Sequence, residues 1–173
     1  MKKLLVMVLA LALVLGYLET FIPMPMPGIK LGLANIAILV AIADVGAGGA
    51  FFVLAIKVLA TGLLFGNPLM IVYSAVGSLL AFAGMVPLSR LKTMHIAMTS
   101  VVGGMLHEVG QLFVASVLLG TTLVWYSAPV LLIAGCLTGA LCGIISSWVI
   151  RMLERGIGDA HKEIGRASCR ERV

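Results

Sequence analysis

Residues 4–22 read LLVMVLALALVLGYLETFI, an apolar run whose only charge is Glu19. Roughly 20 helical residues, each rising about 1.5 Å, cross a bilayer core of about 30 Å, so this run predicts a membrane-spanning helix. Comparable runs recur as far as residue 152. The 173-residue chain has a mean hydropathy of +1.17, with 61% hydrophobic and 11% charged residues. So few charges cannot cover a water-facing surface, and the composition predicts an all-α, polytopic transmembrane bundle.

About six spans are expected: Leu4–Ile22, Leu31–Val45, Ala47–Phe65, Leu69–Val86, Met94–Leu119 and Ala128–Met152. The second is short and glycine-flanked, which leaves six spans or four spans plus two re-entrant segments open. Pro23, Pro25 and Pro27 stop the first helix, because alternating prolines favour extended backbone. In a six-span chain Lys2, Lys3, Arg90, Lys92, Arg151, Arg155 and Lys162 fall on one side and Lys30 alone on the other. The positive-inside rule then predicts a multi-pass cell-membrane protein with both termini cytoplasmic. MKKLLVMVLALALVLG also resembles a signal peptide, but no small-x-small cleavage site follows, which favours an uncleaved first helix.

Function must be sought in the polar groups left inside the membrane. Glu19 lies near the end of the first span, Lys57 near the middle of the third, and His107, Glu108 and Gln111 cluster in the fifth. His107 and Gln111 share a helix face by their i,i+4 spacing. Charges at such depth are costly and should face a cavity or one another. One reading makes Lys57 pair with Glu108 or Glu19 to fix helix register. The other is a polar pocket in which Lys57 and His107 meet a small polar or anionic solute, with Glu108 tuning their charge. PMPMPGIKLGLAN at 23–35 adds Lys30 and Asn35 at the mouth of the bundle, with Gly28 and Gly32 allowing turns, either as a lid over that pocket or as an ordinary loop.

Other residues suggest packing. Gly135, Gly139 and Gly143 recur every four residues along one face of the last span, a spacing that lets helices approach closely. Cys136 and Cys142 are too far apart along a helix for a disulfide or a metal site. No Walker loop, CxxC or HExxH occurs, and Asp44 and Asp159 are the only aspartates, so neither a metal site nor a resident cofactor is expected. The basic residues are juxtamembrane pairs without interleaved aromatics, which argues against nucleic acid and for the bilayer as the surrounding partner. The tail EIGRASCRERV at 163–173 stands apart: from Ile164 it corresponds to the translation of a common sequencing adapter. The expected native domain is therefore 1–162, with 163–173 a read-through tail.

Glu19, PGIKLGLAN at 27–35, Lys57, GLLFGNP at 62–68, HEVGQLFVASVLLGT at 107–121 and Trp125–Tyr126 before Pro129 together resemble the Gx transporter family. That family is also labelled heptaprenyl diphosphate synthase component I and is similar to the S components of energy-coupling-factor transporters. The resemblance covers about residues 4–152 and marks Lys30, Gly32, Asn35, Lys57, His107, Gly110 and Gln111. It implies an S-component-like fold and a transporter or substrate-binding subunit that works with a transmembrane coupling protein and ATPases. The family label implies an alternative, a non-catalytic membrane accessory subunit of a soluble prenyl diphosphate synthase. The chain departs from the family at Glu108, where many relatives carry asparagine. Its first helix also lacks an alanine-x-x-x-alanine face for coupling; Ala37–Ala41 has that spacing but falls in the second.

Overall fold

The computed structural model describes residues 2–19, 21–22, 32–65, 68–91 and 94–170, with side chains at 4–19, 21–22, 32–64, 68–91, 94–153 and 155. They form six α-helices: α1 (Lys2–Glu19), α2 (Asn35–Asp44), α3 (Ala47–Phe65), α4 (Pro68–Ser89), α5 (Ile96–Leu119) and α6 (Ala128–Arg170). A short 3-10 helix, Leu123–Ser127, precedes α6, and no strand occurs among the described residues. Four segments are long and apolar enough to cross a membrane: Ala47–Leu64, Pro68–Ser89, Ile96–Leu119 and Leu123–Leu153. Their outward side chains are apolar as well, with Leu63, Leu64, Phe113, Val117, Leu137 and Leu141 all exposed. A shell of this kind fits lipid and would aggregate in water. The chain is a helical membrane bundle.

Helix ends follow local chemistry. The span expected at 4–22 stops at Glu19, and Phe21 and Ile22 close a turn through N–H bonds to the carbonyls of Leu18 (3.2 Å) and Glu19 (3.3 Å). The span expected at 31–45 shrinks to the ten residues of α2. Gly32 has φ +79°, a left-handed conformation that a helix cannot include, and turn residues 33–34 follow it. Ten residues rise about 15 Å, half of a bilayer core, so α2 does not cross on its own. At its far end the N–H groups of Val45 and Gly46 both reach the carbonyl of Ala41 at 2.9 Å. Gly46, at φ +92°, reverses the chain and offers its carbonyl to Ala50 as α3 begins. The last helix runs past the expected Met152 through Arg170.

The short helix is the hub of the bundle. α2 touches α1, α3, α4, α5 and α6, and every residue from Asn35 to Ile42 is buried. Ile38, Leu39, Val40 and Ala41 pack there with Val53 and Leu54 of α3 and Met85 of α4. The most extensive pairings are α5 with α6 and α4 with α5, and backbone contact is what makes them close. A Cβ on Gly139 would sit 2.7 Å from the Ser100 carbonyl oxygen, and one on Gly143 2.6 Å from Ala97 Cα. A Cβ on Gly110 would come within 2.8 Å of Gly77 Cα. Small residues substitute here for the hydrophobic drive that lipid does not supply.

Candidate functional site

Buried polar side chains gather where α1 ends and α2 begins. Glu19 Oε1 accepts hydrogen bonds from the backbone N–H groups of Gly32 and Leu33, the latter at 3.0 Å. This carboxylate therefore faces the turn that leads into α2, where the N-terminal end of the helix dipole favours negative charge. The N-cap position, Ala34, supplies no side-chain cap of its own. Glu19 also lies within electrostatic range of Glu108 on α5 and Cys142 on α6.

Gly32 ties this turn to α5. A Cβ on it would stand 3.1 Å from Asn35 Nδ2 and 3.2 Å from His107 Cδ2, so the backbone lies against the imidazole. On the opposite side of that ring is Gly77 of α4, whose Cβ would lie 3.1 Å from His107 Cε1 and 3.1 Å from Gln111 Cγ. Between these two glycines, Gln111 Nε2 pairs with His107 Nε2 at 2.8 Å. The carboxamide nitrogen donates, so in a neutral imidazole the ring proton belongs on Nδ1. One residue on, Glu108 turns toward α6, and a Cβ on Gly135 would come within 2.8 Å of its Cγ.

Lys57 approaches from α3 and is 1% exposed. Its carbonyl accepts the Thr61 hydroxyl at 2.7 Å. Gly16 lets α1 close over this pair: a Cβ there would be 2.6 Å from Thr61 Cγ2 and 3.6 Å from Lys57 Cε. Gly16 precedes Glu19 by three residues and shares its helix face, so Lys57 lies beside the strip of α1 that carries Glu19.

Asn35, Lys57, His107, Glu108 and Gln111 are thus all buried at 3% exposure or less, and α2, α3 and α5 converge to place them. Lys30 and Gly28 lie outside the described residues. Lys57 does not hydrogen-bond to Glu108, since both Glu108 oxygens lack a partner among the described residues. Gly110, Gly135, Gly139 and Gly143 serve helix approach, with Gly135 also against Glu108. Glu19 matters more than its position near a helix end suggests. Ser74 and Ser78 of α4 are buried on either side of Gly77, and an i,i+4 serine pair within an apolar span was the available sign of that polar face.

Two cavities lie away from this cluster. One of about 400 Å³ is at the opposite end of the bundle, lined by Leu39, Ile42, Val86, Arg90, Ile96 and Thr99 among others. A second, of about 370 Å³, is an apolar groove between α1 and α6. Neither includes a residue of the polar cluster. Cys136 is half-buried, Cys142 is buried, and both are free thiols. No group of three His, Cys, Asp or Glu among the described residues is placed to hold a metal ion.

Fold and site together define an integral membrane helical bundle with a polar, charge-bearing interior. The model of the family described as heptaprenyl diphosphate synthase component I matches residues 8–149, and the chain belongs to that family. No curated protein and no solved structure matches it.

Proposed function

We propose that this chain is a non-catalytic membrane subunit that acts through a partner, and that the partner is a soluble prenyl diphosphate synthase. The family match over residues 8–149 carries this reading. It agrees with a chain whose only aspartates are Asp44 and Asp159, because magnesium-dependent diphosphate chemistry draws on several clustered carboxylates that a second subunit would contribute. The lysine and arginine distribution supports a multi-pass arrangement in the cell membrane with both termini cytoplasmic, the side on which a soluble partner would dock.

A second reading is favoured by a different observation. Five of the residues singled out by sequence are buried together in a membrane interior, where polar groups without a task are costly. That supports a substrate-binding subunit for a small polar or anionic solute, with Asn35, Lys57, His107, Glu108 and Gln111 as its contacts. Lys30, outside the described residues, joins them from the sequence alone. Such a subunit would borrow its motor from a transmembrane coupling protein and ATPases.

Affinity capture of the full chain from its native membrane, followed by mass spectrometry, separates the two. Recovery of an aspartate-rich prenyl synthase supports the first reading. Recovery of a coupling protein with paired ATPases, and no synthase, overturns it in favour of the second. Under the second reading Lys57→Met abolishes solute binding in a folded protein, and unchanged binding would remove Lys57 from the site.

A further inference from the structure

We infer that the ligand of the buried cluster carries a positively charged nitrogen with N–H donors, a protonated amine or amidine. This deepens the solute-binding reading and rests on it. The observation is an imbalance of hydrogen-bonding groups. Both oxygens of Glu108, the Oε2 of Glu19 and the Oδ1 of Asn35 are buried and accept no hydrogen bond from the described residues. Against these four acceptors, Asn35 Nδ2 is the one unpartnered donor of the same three side chains. Glu108 is 0% exposed, and Glu19 and Asn35 are 3% exposed, so bulk water does not complete them.

An ionised carboxylate accepts hydrogen bonds and donates none. Removing one from water without donors or a counter-charge costs far more than removing a neutral polar group. Charge points the same way. The described buried residues include two carboxylates, Glu19 and Glu108, against one ammonium, Lys57. When both carboxylates are ionised, one additional cation evens that balance, and two or three N–H bonds to it fill the vacant lone pairs.

The three side chains are drawn together by the contacts already described. Gly32 bonds to Glu19 and lies against both Asn35 and His107, while Glu108 follows His107 on α5 within electrostatic range of Glu19. A planar or tetrahedral nitrogen held among them would receive charge-assisted hydrogen bonds, roughly twice as strong as neutral ones. An anion would meet the same oxygens with like charge. A solute bearing a carboxylate as well could still present it to Lys57, so the inference constrains one end of the ligand.

The test uses the full chain in nanodiscs and follows its thermal midpoint at constant ionic strength. Methylammonium, agmatine and spermidine are the N–H cation probes. Tetramethylammonium carries the charge without donors, and inorganic diphosphate is the anion. At least one N–H cation should raise the midpoint, tetramethylammonium should not, and Glu108→Gln should weaken the effective probe at least tenfold. The unliganded variant should melt no lower than the wild type, since the substitution removes a buried charge and keeps the shape. Stabilisation by diphosphate alone overturns the inference and leaves the solute reading standing with an anionic ligand. Equal stabilisation by tetramethylammonium, or an unchanged response in Glu108→Gln, overturns it as well. Stabilisation by none of the probes overturns it and removes this support from the solute reading. If the variant does not fold, methylammonium against tetramethylammonium in the wild type decides alone.

Discussion

Gly104→Ala should loosen the α5–α6 pairing and with it the site. A Cβ at residue 104 would meet the Gly135 carbonyl oxygen at 2.3 Å and Gly139 Cα at 3.2 Å. The first distance falls about 1.1 Å short of ordinary van der Waals contact. Both neighbours are backbone of a long helix, so no side chain can swing aside and the helices themselves must separate. Overpacking of this kind costs about 1–3 kcal/mol, and full backbone resistance places this site near the upper end. Alanine regains about 1 kcal/mol of helix propensity, leaving a net loss of about 2 kcal/mol. For a chain of this size that lowers the thermal midpoint by about 4–8 °C. Gly48→Ala is the control: a Cβ there has nothing within 4 Å, so only the propensity gain remains. Parallel thermal unfolding in nanodiscs measures both. A Gly104→Ala protein that melts at or above the wild type would refute close backbone packing as the basis of this interface. Because Gly135 also lies against Glu108, the same variant should weaken any ligand bound by that carboxylate.

Glu19→Ala removes the acceptor for two buried N–H groups and should cost about 1–3 kcal/mol, whereas Glu19→Gln keeps an oxygen in place and should cost less. Amide hydrogen exchange at Gly32 and Leu33 would show the loss directly. Gly46→Ala should destabilise by about 1–2 kcal/mol through its φ of +92° alone, since a Cβ there touches nothing within 4 Å. Equal melting of that variant and Gly48→Ala would contradict this. Removing residues 163–173 should leave the thermal midpoint unchanged, and a drop on truncation would show that the tail contributes to the fold.

The spans were legible because hydropathy acts on long windows: α3 begins and ends at Ala47 and Phe65, where the apolar run does, and α6 starts at Ala128. The true length of α2 was not legible. LGLANIAILVAIADV is apolar apart from Asn35 and Asp44, and only the backbone conformation of Gly32 reveals that the first residues belong to a turn. The burial of Lys57, His107 and Gln111 could be inferred from their positions in apolar runs. The partners of Glu19 could not, because backbone N–H groups carry no sequence signature and these lie 13 and 14 residues away. Ser74 and Ser78 lacked charge to mark them, although their spacing places them on one helix face.

The brevity of α2 has a consequence for biogenesis. An insertion machinery that selects segments by length and hydropathy can seat α3, α4, α5 and α6 one at a time, but a ten-residue helix about 15 Å long does not satisfy it. α2 can enter only by packing against neighbours already in place, in the second of two stages of membrane protein folding. Since α2 carries Asn35, and Gly32 and Leu33 lead into it, the polar site does not exist in any partly inserted chain. Its assembly waits on the neighbours of α2, so ligand binding would report a packed bundle.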